Sequence, residues 1–309
     1  MADRSRVLVT GGAGFIGRRV VRALLAEGHE VTVADLRAFP DPEVRSVIHE
    51  VTGDLRDHGV LEKAVQPDTE VIIHLAADTS VLASVADPAG TYRNNVDVTA
   101  RLLEAARENE VDTFLFASTN AVTGNVGSAV ITEQTVLRPL TPYGATKAAA
   151  EMLIGSYASC YGISGAALRF SNVYGPGMGQ KDSFIARLMR AARDGTGIQV
   201  RGDGSMIRDV VHVDDIVQGL LLAWQARHTG PLILGSGQSV TVNEMVATAR
   251  RVTGAPIPAG NVPVPRGEMP TVVVDISAAK ALGYQPVYDL EAGMATVWPD
   301  FRPGQEETR

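Results

Sequence analysis

Through the first half of the chain, short apolar and β-branched runs alternate with longer stretches whose apolar residues recur at helical spacing. Arg6–Thr10 (RVLVT), Val31–Asp35, Val71–Ala77 (VIIHLAA), Thr113–Ser118 (TFLFAS) and Gly165–Phe170 (GAALRF) read as strands. Phe15–Glu27, with Gly28 as its C-cap, Thr91–Asn109 and Tyr143–Tyr161 read as the helices between them. Strand, helix, strand at these spacings predicts parallel pairing by right-handed crossovers, with helices covering both faces of the sheet.

The texture changes after Phe170. Ser171–Lys181 (SNVYGPGMGQK) is a Gly/Pro-rich loop, followed by a helix over about Asp182–Asp194 and a short strand, Ile198–Arg201. Arg208–His212 and Pro231–Leu234 read as strands flanking a helix, Asp214–Gln225. Thr241 and Glu244 have capping-box spacing for a helix that ends near Gly254. A proline-rich connector, Pro256–Pro270, then leads to a strand at Thr271–Val274 and a helix over Ser277–Leu282. The expected fold class is α/β, with a doubly wound parallel sheet of dinucleotide-binding type to about residue 170, then a smaller segment of mixed elements, and with about 209–235 returning to the first sheet.

Composition narrows the classes. The chain has 309 residues, 45% hydrophobic and 20% charged, which is ordinary for a folded globular protein. Its net charge of -7, from 28 basic and 35 acidic side chains, gives no general electrostatic reason to bind nucleic acid or an acidic membrane. A single cysteine, Cys160, excludes an internal disulfide and any multi-cysteine metal site, and no metal is expected; Cys160 itself reads as a small helix-packing residue. No apolar run reaches the ~18 residues of a membrane span, and the polar Met1–Arg6 runs directly into a strand, so no signal peptide is expected and the cytoplasm is the default location. Only Lys63, Lys147, Lys181 and Lys280 are lysines.

Two local motifs carry chemistry. The first is Thr10-Gly11-Gly12-Ala13-Gly14-Phe15-Ile16-Gly17, where a strand turns into a helix. Gly11, Gly14 and Gly17 leave bare backbone there, so that a pyrophosphate can approach the helix N-terminus beside Phe15 and Ile16. Asp35, at the end of the next strand, stands where an acid accepts hydrogen bonds from an adenosine ribose; its charge favours NAD over NADP, although Arg37 lies two residues on. In Gly53-Asp54-Leu55, Asp54 is within the region that would reach an adenine amine. The second motif is Tyr143-Gly144-Ala145-Thr146-Lys147. Positions i and i+4 share a helix face, and an ammonium near a phenol favours the phenolate, so Tyr143 becomes a base. Ser118-Thr119 end a strand on the same sheet edge, where a hydroxyl would share the substrate proton.

Together these residues resemble the extended short-chain dehydrogenase/reductase family, in its NAD-dependent nucleotide-sugar epimerase/dehydratase branch. Further motifs follow in order along nearly the whole chain: His74-Leu75-Ala76-Ala77, Asp87-Pro88 with Asn95-Val96, Asn172-Val173-Tyr174-Gly175-Pro176-Gly177, Gly202-Asp203-Gly204, Arg208-Asp209 with Val213-Asp214-Asp215, and Arg266-Gly267-Glu268. The resemblance implies a Rossmann-type NAD-binding domain over 1–171 with a smaller C-terminal substrate-binding domain over 172–309, and NAD contacts from Asp35, Asp54, Leu55, Ala76, Asn95, Tyr143 and Lys147. It implies nucleotide-sugar contacts from Asn172, Arg208 and Arg266, with Glu268 near the nucleotide ribose. It places Asp78-Thr79-Ser80 in the loop that faces the sugar, with Ser80 a substrate residue, and suggests a homodimer through helices near Thr99–Asn109 and Tyr143–Tyr161. The arginines suit a diphosphate, because guanidinium offers a planar fork of donors.

One departure bears on the reaction. Relatives that eliminate water place an acid one or two positions after the catalytic Ser/Thr, and this chain has Asn120 and Ala121 there. Thr123 stands where relatives have a tyrosine. The expected activity is therefore NAD-dependent 4-epimerisation of a nucleotide sugar, a UDP-hexose or UDP-hexuronate, with Thr119, Tyr143 and Lys147 as the catalytic set. The alternatives are a nucleotide-4-keto-sugar reductase, a decarboxylase or dehydratase on the same scaffold and, more remotely, a non-catalytic dinucleotide-sensing protein.

Overall fold

The computed structural model describes residues 4–264 and 271–302. The first half contains β1 (Arg6–Thr10), α1 (Gly17–Ala26), β2 (Glu30–Asp35), α2 (Pro42–Arg45), β3 (His49–Thr52), α3 (His58–Ala64) and β4 (Val71–His74). These are followed by α4 (Val81–Ala86), α5 (Pro88–Tyr92), α6 (Val98–Glu108), β5 (Thr113–Thr119), α7 (Pro142–Tyr161) and β6 (Ser164–Phe170). Next come β7 (Asn172–Tyr174), α8 (Phe184–Asp194), β8 (Ile198–Arg201), β9 (Ile207–His212), α9 (Val213–Gln225) and β10 (Gly230–Leu234). The chain continues through β11 (Ser239–Thr241), α10 (Val242–Thr253), β12 (Ala259–Val262), α11 (Ser277–Ala281) and α12 (Leu290–Val297).

The chain forms two compact units. The first is built from the segments up to Gly124, Glu133–Arg169 and Val217–Leu232. It holds a seven-stranded sheet in the order β10-β6-β5-β4-β1-β2-β3. The neighbours from β5 to β3 pair in parallel. The order reverses between β1 and β4, and in such doubly wound sheets the ligand crevice opens outside the carboxyl ends of the strands at that reversal. The strands at the centre are buried on both faces: Leu8, Ile72, Phe114 and Phe116 pack against Leu102 and Leu103 of α6 and Ile154 of α7. That is why their sequences read as continuous apolar runs.

The second unit comprises Asn125–Thr132, Phe170–Ile216 and the chain from Ile233 onward. It contains a three-stranded sheet, β11-β9-β7, and a two-stranded one, β12-β8. Buried His212 stacks on Tyr288 at 3.8 Å, meets Tyr174 edge-on and shares a 3.0 Å hydrogen bond with Thr296 Oγ1. The Asp215 carboxylate accepts the backbone N–H of Val287 at 2.9 Å.

Several elements differ from the sequence-based expectation. The return to the main sheet is made by β10; β9, expected to join from about residue 209, pairs with β7 and β11 instead. The stretch Thr91–Asn109 is not one α-helix: a π-helical turn, Arg93–Asp97, separates α5 from α6. The connector Pro256–Pro270 contains the strand β12, which pairs in parallel with β8. Thr271–Val274 forms isolated bridges, Thr271 to Ile207 and Val274 to Ile131, rather than a strand. Cys160 is exposed near the end of α7 and is not a packing residue. Among the described residues no helix is long and apolar enough to cross a membrane.

The capping box at α10 is present: the Thr241 hydroxyl accepts the Glu244 N–H at 3.1 Å, and the Glu244 carboxylate accepts the Thr241 N–H at 2.6 Å. Thr241→Ala is expected to cost about 1 kcal/mol of stability, and Thr241→Ser to restore most of it, in urea unfolding followed by circular dichroism.

Candidate active site

The glycine loop leaves β1 at Gly11, whose φ of +68° lies in the left-handed region. A Cβ there would stand 2.7 Å from the Ala76 N, so the loop after β1 and the end of β4 are in backbone contact. A Cβ on Gly17 would overlap the Gly11 carbonyl oxygen, so the first turn of α1 lies against the loop. The result is a side-chain-free cradle at a helix N-terminus, a shape and polarity that suit a pyrophosphate. Phe15 and Ile16 are half-buried beside it.

Asp35 closes one end of this cradle. Its Oδ2 accepts the Ala13 N–H at 3.0 Å and its Oδ1 the Arg37 N–H at 3.1 Å. The carboxylate is thus fixed against the loop, with acceptor capacity remaining for ribose hydroxyls. Leu55 is buried, while the exposed Asp54 carboxylate is forked by Arg56, whose guanidinium holds it below the usual carboxylate range.

The loop after β4 is braced from below. His74 takes Thr10 Oγ1 at 2.7 Å and Thr99 Oγ1 at 3.0 Å, and the same Thr10 oxygen accepts the Ala76 N–H at 3.3 Å. Burial, with the nearby Lys147 charge, pushes His74 down to about 3, so it stays neutral and acts as a strut. Asn95, in the π-helical turn, is buried; its Oδ1 accepts the Asp78 N–H at 2.8 Å, and its Nδ2 donates to Asp78 O at 3.0 Å and Thr146 Oγ1 at 3.1 Å. It ties the loop to α7. A π turn turns a side chain off the regular helical stripe, which is a recurrent feature of functional sites. Ser80 is exposed and N-caps α4, accepting the Ala83 N–H at 3.1 Å, and the Asp78 carboxylate accepts a hydrogen bond from Asn94.

Thr119, Tyr143 and Lys147, the expected acid–base set, lie where α7 begins beside the end of β5. Thr141 caps α7 and Pro142 opens it. A Cβ on Gly144 would sit 2.7 Å from Ala121 O, so only glycine lets this turn approach so closely. Tyr143 is half-buried and hydrogen-bonded to the Thr119 hydroxyl; burial pushes its phenol up to about 12, while the bond to Thr119 opposes the rise. Lys147 is 2% exposed, donates from Nζ to Ala117 O at 2.9 Å and sits 4.4 Å from the Phe116 ring centre. Burial lowers it to about 7, and the Glu151 charge works against that fall. Thr123 is buried and donates to Asn120 O at 2.8 Å, closing the turn after Thr119. It therefore has a structural task in place of a tyrosine's.

The second unit holds two of the expected substrate residues side by side on one sheet. Asn172 of β7 pairs in register with Val210 of β9, and its Nδ2 donates to Asp209 O at 2.9 Å. Arg208 on β9 is half-buried, with Nη1 on Ile207 O at 2.8 Å. Next to it the Asp209 carboxylate is buried and accepts Ser236 N and Oγ, each at 2.9 Å; burial raises its pKa. Arg266 and Glu268 lie outside the described residues.

Sequence reasoning missed one group next to the acid–base set. Glu151 and Arg169 form an ion pair, 2.8 Å apart, with side chains only 6% and 4% exposed, and Ser118 also donates to Glu151. The signal was present, since Glu151 continues the i, i+4 series of Tyr143 and Lys147 by one more turn.

A family model described as the NAD dependent epimerase/dehydratase family matches residues 7–234. This chain belongs to that family. It is 32% identical over 313 residues to UDP-glucose 4-epimerase of Corynebacterium glutamicum, an alignment covering 95% of this chain and 94% of the relative. The solved UDP-glucose 4-epimerase of Thermotoga maritima, a complex with UDP-glucose, superposes with a TM-score of 0.90 at 31% identity, covering 96% of this chain and 98% of that one. UDP-glucuronic acid 4-epimerase of Bacillus cereus, in complex with UDP-glucuronic acid and NAD, gives 0.87 at 28% identity, covering 95% and 98%. The cofactor of the family is NAD, and the cradle, Asp35 and the covered end of β4 fit it.

The depressed Lys147 has a consequence for stability. Between about pH 7 and pH 10 the unfolded chain keeps this proton and the folded protein without NAD does not, so this group makes folding more favourable as pH rises through that window. Urea unfolding of the cofactor-free protein across this range is expected to show that rise, and Lys147→Met to remove it. An unaltered slope in the variant would mean that Lys147 stays charged when folded.

Proposed function

We propose that the protein is an NAD-dependent nucleotide-sugar 4-epimerase acting on a UDP-hexose or UDP-hexuronate, with Thr119, Tyr143 and Lys147 as its catalytic set. The observation that carries this assignment is the hydrogen bond between Thr119 and Tyr143 at the carboxyl end of β5, one helical turn from a buried lysine on the same face of α7. Tyr143 takes the proton from the C4 hydroxyl and later returns it. Thr119, bonded to the phenol, shares the same substrate oxygen and draws the phenol toward ionisation. Lys147 contributes positive charge, which favours the phenolate against the burial that opposes it. NAD, when bound, would supply the redox chemistry, hydride transfer from and back to C4. The glycine loop, Asp35, Asp54, Leu55, Ala76 and Asn95 hold or frame the cofactor, and Ser80 lies on the sugar side.

Arg208 anchors the nucleotide diphosphate in this reading, with Asn172, Arg266 and Glu268 as further substrate residues. Anchoring the nucleotide while the sugar turns is what allows inversion at one carbon without release. The UDP-sugar specificity is supported by the relatives, which act on UDP-glucose or UDP-glucuronic acid. Asn120 and Ala121 favour epimerisation over dehydration, since neither can protonate a leaving hydroxyl. We further infer a cytoplasmic homodimer formed through α6 and α7. Met152 and Tyr161 on α7, both largely exposed apolar side chains, support that surface.

The reaction is expected to be redox-neutral. A deuterium placed at C4 of UDP-glucose should remain in the epimerised product, with none taken up on carbon in heavy water. A product lighter by water or carbon dioxide would reject the assignment. Tyr143→Phe should abolish turnover while leaving nucleotide-sugar binding nearly intact, and Thr119→Val should be milder.

Arg208→Ala should weaken binding of UDP as well as of the whole sugar nucleotide, by roughly ten- to a hundredfold for a lost charge-assisted phosphate contact. Calorimetry measures both. Equal affinities in variant and parent would place Arg208 outside the site.

A further inference from the structure

Three consecutive residues at the end of β5 each hold one residue of a single stripe along α7. Ala117 O accepts Lys147 Nζ, Ser118 Oγ donates to Glu151, and Thr119 is bonded to Tyr143. The stripe advances by four residues, 143, 147 and 151, so its members stack on one face of the helix. The Glu151 carboxylate is fully engaged: Arg169 Nε reaches Oε1 at 3.1 Å and Oε2 at 3.2 Å, and Nη2 reaches Oε2 at 2.8 Å. Arg169 also donates from Nη1 to Glu133 O at 3.0 Å. Such a pair, nearly dry at both ends, is no economical source of stability, because desolvation offsets the attraction. Its location calls for another reason.

Resting on the acid–base reading above, we propose that Glu151, clamped by Arg169 and Ser118, is a positioning residue that keeps Lys147 protonated and aligned beneath Tyr143 during turnover. Lys147 has lost its water and has one carbonyl and an aromatic face in exchange. The titratable and charged groups around it are His74 on β4, Tyr143 and Glu151 on α7, and Arg169 on β6 behind Glu151. His74 is neutral and Tyr143 is neutral at rest, so neither balances the ammonium. Glu151 supplies the negative charge, and its fork with Arg169 fixes which way that charge faces. Ser118 carries the same clamp into the strand end that presents Ala117 O and Thr119. One carboxylate thereby sets both the charge and the place of the group that favours the Tyr143 phenolate.

The chain has four lysines, which makes a direct test practical. The NAD-bound protein, labelled at lysine 13Cε, is titrated by NMR, with the Lys147 signal assigned by Lys147→Arg. Glu151→Gln keeps the shape and removes the charge. Glu151→Gln/Arg169→Gln also removes the arginine charge, so that the test survives if the single variant folds poorly. In Glu151→Gln the Lys147 midpoint is expected to fall by about one pH unit or more, and in the double variant to fall by less, because losing the Arg169 charge partly offsets the loss of the carboxylate. The alkaline limb of the kcat profile should move by the same amount, with near-parental kcat restored at low pH. A Lys147 midpoint unchanged in the variants, or a kcat loss equal at every pH, overturns the proposal. If instead Tyr143→Phe keeps its turnover, it is the acid–base reading that fails, and the NMR midpoint still reports separately on Glu151.

Discussion

The hydrogen bond from Lys147 Nζ to Ala117 O joins α7, which carries the proposed acid–base set, to the strand that ends beneath it. An ammonium with so little water is held only if the surroundings are arranged for it, and each neighbour of this bond shows such an arrangement. Phe116 offers a ring face, Glu151 a counter-charge, and His74 stays neutral beside it. Gly144 lets the first turn of α7 press against Ala121 O, which fixes how far along β5 the helix begins. A side chain at 144 would lift the helix and with it Tyr143, whose bond to Thr119 depends on the same approach.

The cradle after β1 obeys a related constraint, exerted through backbone rather than charge. Gly11 brings the loop to within contact of Ala76, and Thr10 and His74 tie the two strand ends together beneath it. Asp35 reaches across to Ala13. Three neighbouring strands thus converge on one bare surface. Asn95 extends that rigidity to α7 through Thr146, so the glycine-loop cradle and the helix carrying Tyr143 and Lys147 belong to one connected network inside the first unit.

Much of this was legible in the sequence because it is local. The glycines, Asp35 at a strand end and the Tyr143–Lys147 spacing each lie within one turn or one βα step, where periodicity decides the geometry. The features that escaped are set by partners distant in the chain. The π turn around Asn95 has the same apolar pattern as a plain helix and is betrayed only by where Asn95 points. The exposed strand β12, Ala259–Val262, has no alternation to read, since β8 recruits it through backbone bonds. The segment β9 (IRDVVH) has the buried core of a strand, but which sheet it joins is set by distant neighbours, and it pairs with β7 and β11. Glu151 and Arg169 pair across elements distant in the chain, joining α7 to β6, and only the i+4 stripe in the sequence points to that pair.

The turn after Thr119 links these constraints to reaction choice. Asn120 is buried, and its carbonyl accepts the Thr123 hydroxyl. A carboxyl group in that position would lose its water, which raises its pKa and makes it a proton donor near neutrality, the property an eliminating enzyme needs. An amide there has the same shape and no proton to give. In the proposed reaction Tyr143 is then the group, of those that the turn and α7 bring together, left to exchange a proton with substrate. A single group that removes and restores a proton at one oxygen supports a reaction that begins and ends with the same hydroxyl. The chemistry of this site is therefore narrowed as much by the neutral side chain at 120 as by the ionisable ones at 143 and 147.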